Sequence, residues 1–157
     1  MPVFRLVTFG PATPGPGPFV AAATYLPLSR WRYLPTFQRW NGRVRDSAAR
    51  APGLLWYSVQ AKFGQKTFWT LSVWASRDAM RAFVRSEPHA TAMRRFSLWG
   101  SRDAAFGDWE SPTVWVTWKD VYARLGRPPS PGGPVAPPLR VPESWDAGAR
   151  PPRWPSE

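Results

Sequence analysis

The 157-residue chain carries two hydrophobic periods. Residues 3–9 (VFRLVTF) and 19–26 (FVAAATYL) are short apolar runs, and the second is apolar throughout, as for a strand buried on both faces. Over 29–53 the period changes. Leu34, Phe37, Trp40, Val44 and Ala48 step by three or four and share one helical face, with Arg32, Arg39, Arg43 and Arg50 largely off it. Pro35 marks where that helix starts and Gly53 where the segment stops. Residues 54–63 and 66–75 are aromatic and β-branched runs around Gly64–Gln65, so a β-hairpin is predicted. Strict alternation places Leu55, Tyr57, Val59 and Phe63 on one face of the first strand. In the second, Trp69, Leu71 and Val73 oppose Phe68, Thr70, Ser72 and Trp74, and neither face is polar, so both are expected to be covered.

Ser76 then reads as a helix N-cap with Asp78 in the first turn, and 77–86 as a short helix with Met80, Phe83 and Val84 inward. Ser86 is expected to cap a second segment over 87–100, whose stripe is His89, Met93, Phe96 and Gly100. Residues 101–110 read as a loop, 112–119 (PTVWVTWK) as the last strand, and 119–125 as a final helical turn. The order β–α–β–β–α–β, with the second α broken in two, predicts an α+β fold: a ferredoxin-like βαββαβ plait with an antiparallel sheet. Helices on one side of such a sheet leave the other side bare. Here that side is aromatic and too large to leave in water, so a second sheet in a homodimer is expected to cover it.

Proline and glycine set the boundaries. GPATPGPGP (10–18) is a loop, and ten of the twenty prolines fall from Gly126 onward. The expected organisation is an N-terminal strand and Pro/Gly loop over 1–18, the α+β domain over 19–125, and a Pro-rich tail over 126–157 expected to be disordered, with Trp145 and Trp154 as potential anchors.

Composition narrows the chemistry. There is no cysteine, which excludes disulfides, thiolate nucleophiles and Cys-ligated metals. There is one histidine, so no His cluster, and the Pro-laden 10–18 loop lacks the N–H donors of a phosphate loop. NAD, FAD and ATP sites and a hydrolytic triad are not expected. No run of 18 apolar residues occurs and 19–28 makes a poor signal peptide, so a soluble, cytoplasmic protein without a membrane partner is expected. The net charge of +11 is nearly all arginine spread along helical segments with no basic run of five. A solvated basic face, not a nucleic-acid partner, is expected; a nucleic-acid binder would show steep salt dependence.

APGLLWYSV (51–59), KTFWTLSVWASRDAMRAFVRSEPHATAM (66–93) and TVWVTW (113–118) resemble the dimeric α+β barrel superfamily, in particular small antibiotic-biosynthesis-monooxygenase-like proteins. The spacing of Trp74, Ser76, Asp78, Ala79, Met80, Phe83, Ser86 and His89 carries most of this resemblance, and TLSVW with PHATAM is also similar to spheroidene monooxygenase. The resemblance implies a homodimer and a cavity between sheet and helices that takes flat hydrophobic polycyclic or isoprenoid-like compounds. In heme-binding members an axial histidine lies beside the cavity, a part only His89 could play here.

His89 therefore has three readings: a general base, a heme-iron ligand, or a residue that packs at a helix start. At the third position of a helix capped by Ser86, the dipole and burial would both favour neutral imidazole, with Glu87 opposing. Tyr57, Trp69, Trp74, Phe83, Met93, Trp99 and Trp115 are the candidate ligand-binding residues, with the alternative that many are core or interface filler. Arg81, Arg94 and Arg95 are candidates for holding a carboxylate, with solvent the simpler place for Arg81 and Arg94. Two functions stay open: a monooxygenase, cofactor-free or heme-dependent with no other metal, and a non-catalytic small-molecule-binding or interaction protein on the same fold.

Overall fold

The computed structural model describes residues 4–126; the Pro-rich segment with Trp145 and Trp154 lies outside the described residues. The elements follow as β1 (Phe4–Phe9), β2 (Phe19–Pro27), α1 (Leu34–Ala48, after a 3-10 turn at Trp31–Tyr33), β3 (Leu54–Lys62), β4 (Thr67–Trp74), α2 (Arg77–Arg85), α3 (His89–Trp99), β5 (Ala105–Ser111) and α4 (Trp118–Leu125). One antiparallel sheet runs β1-β3-β4-β2-β5. Without β1, the order β3-β4-β2-β5 is the ferredoxin-like plait. The 1–18 region adds β1 to its edge, paired with β3 from Phe4↔Ala61 to Phe9↔Trp56.

Local signals explain most boundaries. Pro35 sits in the first turn of α1, and Ser76 caps α2, its hydroxyl accepting from Ala79 N at 3.2 Å. Gly53 has φ +85, and a Cβ there would meet Ala79 Cβ at 2.4 Å, so the turn before β3 needs glycine both for its backbone and for its close approach to α2. Gly53→Ala should cost about 1–3 kcal/mol from the left-handed backbone alone, read as a lower urea midpoint at unchanged slope.

Three expectations are corrected. The last strand is 105–111, not 112–119, and the 101–110 stretch expected to be a loop supplies most of it. β5 is an edge strand whose residues alternate exposed and covered, so its sequence (AFGDWES) is half polar and includes glycine. Val114, Trp115 and Val116 are consecutive and all buried, because that segment lies flat across a sheet face instead of joining the ladder. In β3 a register shift between Leu54 and Trp56 breaks the alternation. Leu55 then joins Trp56 in one core while Leu54, Tyr57 and Val59 face the other. Finally, the sheet face expected to lie bare is covered by this chain itself. Helices α1–α3 pack on one face, and 114–121 pack on the other against Trp56, Trp69, Leu71 and Val73.

Candidate functional site

A cavity of about 460 Å³ lies between the sheet and α1–α3. Its floor is open because β2 presents small side chains, Ala22 and Thr24, beside Thr70, Ser72 and Trp74 of β4 and Tyr57 of β3. The walls are Phe37, Trp40, Asn41 and Val44 of α1, Met80 and Phe83 of α2, and His89, Met93, Phe96 and Trp99 of α3. The exposed lining residues mark the mouth: Arg81, Val84 and Arg85 on α2, facing Phe106 and Asp108 on β5.

Floor polar groups largely satisfy one another. The Thr24 and Thr70 hydroxyls share a hydrogen bond, and Trp74 Nε1 donates to Ser72 Oγ at 2.8 Å. Tyr57 and Asn41 differ: neither side chain makes a hydrogen bond to any described residue. Burial raises the Tyr57 phenol far above the ordinary tyrosine range, with Arg45 opposing weakly, so the hydroxyl keeps its proton and remains a donor.

His89 is the first residue of α3, and Ser86 is not its cap. The Ser86 hydroxyl instead donates to Phe83 O at 2.8 Å and closes α2, because Pro88 resets the chain before α3 begins. The Glu87 carboxylate does the capping, accepting from Thr91 N at 3.2 Å and from Arg94 at 3.2 Å. His89 Nδ1 lies 3.1 Å from the Val84 carbonyl, which can only accept, so Nδ1 carries the proton and Nε2 keeps its lone pair. The ring packs on Phe83 at 5.1 Å between centroids, and Phe83 packs on Trp74 at 5.2 Å. Burial lowers the His89 pKa below the usual 6.5, with the Val84 hydrogen bond pulling the other way.

A lowered folded-state pKa means that the unfolded chain binds this proton more readily. The stability His89 contributes is therefore complete above 6.5 and is lost as pH falls through the depressed value. Wild type should lose more stability than His89→Gln between pH 7.5 and pH 5, read as the difference in urea midpoints.

Six of the sequence candidates meet at this cavity: Tyr57, Trp74, Phe83, His89, Met93 and Trp99. Trp69 and Trp115 do not. Trp69 alternates with Thr70 onto the opposite sheet face, where it packs on Tyr25 and Tyr122; Trp115 packs there on Trp56 at 6.3 Å. Among the arginines, Arg81 lies at the mouth, Arg94 pairs with Glu87, and Arg95 stacks over Trp40, whose ring also takes Arg43. Arg77 and Asp108, paired across the mouth, and Asn41 are additions to the sequence candidates. For Asn41 a signal exists: with Phe37, Val44 and Ala48 it makes a 4-3-4 stepped stripe, one polar residue on an apolar face. Among the described residues no three His, Cys, Asp or Glu side chains gather as a metal site, and no helix is long and apolar enough to cross a membrane.

Residues 36–95, which hold most of α1 to α3 and about two-thirds of the residues lining the cavity, match the antibiotic biosynthesis monooxygenase family. Among curated proteins none matches the chain. Solved structures share the fold. SnoaB, a cofactor-independent oxygenase from Streptomyces nogalater, aligns at 14% identity and TM-score 0.51, over 60% of this chain and 94% of that one. An antibiotic biosynthesis monooxygenase aligns at 10% and 0.53, over 59% and 97%. A Nitrosomonas europaea protein of unknown function aligns at 16% and 0.52, over 62% and 92%. At these identities the likeness is one of fold, and the fold hosts proteins of different roles. The family match thus covers residues 36–95, and the sheet order is the ferredoxin-like α+β fold that these ABM-like solved structures share.

Proposed function

We propose that this protein is a monooxygenase-like enzyme that holds a flat, largely apolar organic molecule between the sheet and α1–α3, with His89 Nε2 as the base that takes the substrate's proton. The observation that carries this is the state of His89. It is the one imidazole of the chain, it lines an apolar cavity, and its Nδ1 proton is committed to Val84, which leaves a basic lone pair on Nε2. Desolvation keeps that nitrogen unprotonated at neutral pH, the form a base needs.

Tyr57 and Asn41 supply the free donors of the cavity, so a carbonyl or phenolate oxygen is the group they would hold. A cofactor-free reaction follows with atoms in balance. An activated CH2 beside an aromatic ring or carbonyl gives its proton to Nε2, and the carbanion passes its electrons to dioxygen. The resulting hydroperoxide loses water to leave a ketone, so that R2CH2 and O2 give R2CO and H2O. Tyr57 and Asn41 stabilise the anion formed at the first step, and the apolar walls exclude water from it.

Heme, which the resemblance brings in, meets a compatible donor set: His89 Nε2 would hold its iron and Arg81 and Arg85 its propionates, and the bound group would supply iron-based dioxygen activation. The non-catalytic reading keeps the same cavity and predicts ligand binding without turnover. One observation favours it: apart from His89, no cavity-lining side chain offers a base at neutral pH inside the mouth.

The mouth selects charge. Arg77, Arg81 and Arg85 fall at i, i+4 and i+8 on α2 and all line the cavity, and only Arg77 has an acidic partner among the described residues. Like charges at this spacing repel, and an acid group on the ligand would relieve the repulsion. Anthraquinone-2-carboxylate should therefore quench tryptophan fluorescence at lower concentration than anthraquinone. Arg81→Ala with Arg85→Ala should weaken the acid about 3- to 10-fold, consistent with roughly 0.5 kcal/mol for each exposed pair, and leave the neutral analogue unchanged. Equal affinities for acid and neutral compound would sink this selectivity.

A further inference from the structure

We propose that one end of the helix layer, where β2 turns into α1, is a docking surface for an anionic lipid bilayer. Backbone bonds gather three segments there. Leu28 N donates at 2.9 Å to the carbonyl of Lys66, between β3 and β4. Ser29 N and Ser29 Oγ both donate to the carbonyl of Trp99, at the end of α3, at 2.8 and 2.9 Å. Two large apolar side chains stand in water beside this junction. Trp31, two residues after Ser29, is 53% exposed, and Leu98, one residue before Trp99, is 69% exposed.

The surroundings are cationic. Lys66 Nζ lies 5.2 Å over the Trp31 ring, and Arg95, three residues before Leu98 on the same side of α3, stacks over Trp40 at 5.1 Å. Residues 28–43 hold Arg30, Arg32, Arg39 and Arg43, all exposed, and no acid. In residues 94–103 the one acid is Asp103, against Arg94, Arg95 and Arg102, and Glu87 takes up Arg94. Arg30, Arg32, Arg39, Arg43 and Arg95 have no acidic partner among the described residues. A Trp and a Leu set among cations make an interfacial anchor. The apolar groups enter the boundary of the acyl chains, the stems of Arg and Lys lie along them, and the charged heads stay at the lipid phosphates. Each cation near an anionic leaflet strengthens binding about 5-fold, and salt weakens the effect. A basic face alone would suit nucleic acid as well. Leu98 favours the bilayer, since it has neither a ring for a base to stack on nor a group to bond one. Docking of this kind needs no spanning helix, and among the described residues none is long and apolar enough to be one. It goes beyond what His89 does in the cavity, because it brings the protein to the phase in which a flat apolar ligand dissolves.

Flotation of the intact protein with vesicles of phosphatidylcholine, alone or mixed with an equal amount of phosphatidylglycerol, tests this. Binding to the mixed vesicles at low salt, and none to phosphatidylcholine, is expected; no binding to the mixed vesicles would overturn the docking surface. Trp31→Ser with Leu98→Ser keeps every charge and should weaken binding at least about 10-fold. Arg30→Gln with Arg32→Gln should weaken it about 10- to 30-fold, and Arg81→Gln with Arg85→Gln, an equal loss of charge at the cavity mouth, less than about 3-fold. Equal losses in the two arginine pairs would mean adsorption by net charge and overturn the surface. Vesicle binding that Trp31→Ser with Leu98→Ser leaves intact would overturn it too, and give the apolar pair to another occupant, a second copy or a protein. Single-stranded DNA held more tightly than the vesicles, and lost with Arg30→Gln and Arg32→Gln, would overturn it in favour of nucleic acid. Each variant must keep native circular dichroism; where the Trp31 and Leu98 variant does not, the two arginine pairs decide.

Discussion

If His89 is the base proposed above, His89→Ala is expected to leave the cavity able to bind its ligand and to lower dioxygen consumption by about 10²- to 10⁴-fold, the range for removing a positioned base. Binding survives because the ring contributes one wall among many: Phe83, Met93, Phe96 and Trp99 remain. Chemistry is not expected to survive, because no other lining side chain presents an unprotonated basic nitrogen at neutral pH. The wild-type rate should rise with pH through a pKa below 6.5 and reach a plateau by neutrality, since burial holds the working lone pair free there. His89→Gln keeps a polar group of similar size and should be as inactive as alanine while preserving stability better. A variant that loses affinity and rate together, with no change in the pH profile of what remains, would mark His89 as a packing residue.

Trp56→Ala is expected to be the most damaging single core substitution. Trp56 is fully buried, stacks against Trp115, and ties the 112–117 segment to β3 through its indole N–H on Val114 O. Truncating a buried tryptophan costs about 3–5 kcal/mol, and the stranded Val114 carbonyl adds about 1–3 kcal/mol. A small domain has only about 5–15 kcal/mol in total, so the variant sits near the limit of folding. Trp56→Phe keeps most of the burial and loses only the hydrogen bond and some volume, so its urea midpoint should fall between those of Trp56→Ala and wild type. Where Trp56→Phe is folded, ligand affinity should be unchanged, because Trp56 is on the sheet face away from the cavity.

The parts of this fold that are legible in the sequence are those where one local signal acts alone. The stripe of Phe37, Val44 and Ala48 marks α1, Pro35 and Gly53 bracket it, and the matched runs around Gly64 mark the β3–β4 hairpin. Errors arise where tertiary contacts override a local pattern. Val114–Trp115–Val116 has the composition of a strand, and only its position across the sheet face reveals it as a strap. The Ala105–Ser111 strand is hidden because an edge strand needs one apolar face at most. Alternation puts Leu55 on the wrong face because a bulge leaves no mark in the residue pattern.

The site follows the same logic. His89 and the aromatics near it share one helical stripe or one strand face, so periodicity alone groups them. Residue type alone adds Trp69 and Trp115 to that group, and residue type carries no information about sheet face. Asn41 and Tyr57 become notable only once their side chains are seen to lack hydrogen-bond partners among the described residues. Asp108 depends on β5 lying beside β2, a pairing between residues far apart in sequence.

The most direct measurement is dioxygen uptake by the purified intact protein, supplied with an anthrone carboxylic acid, compared with His89→Ala and with buffer alone. Uptake well above the buffer rate, one O2 per ketone formed, and lost in His89→Ala is the predicted result. Uptake equal to buffer, or equal in wild type and His89→Ala, would contradict His89 as the base of an oxygen-consuming reaction on this class of substrate.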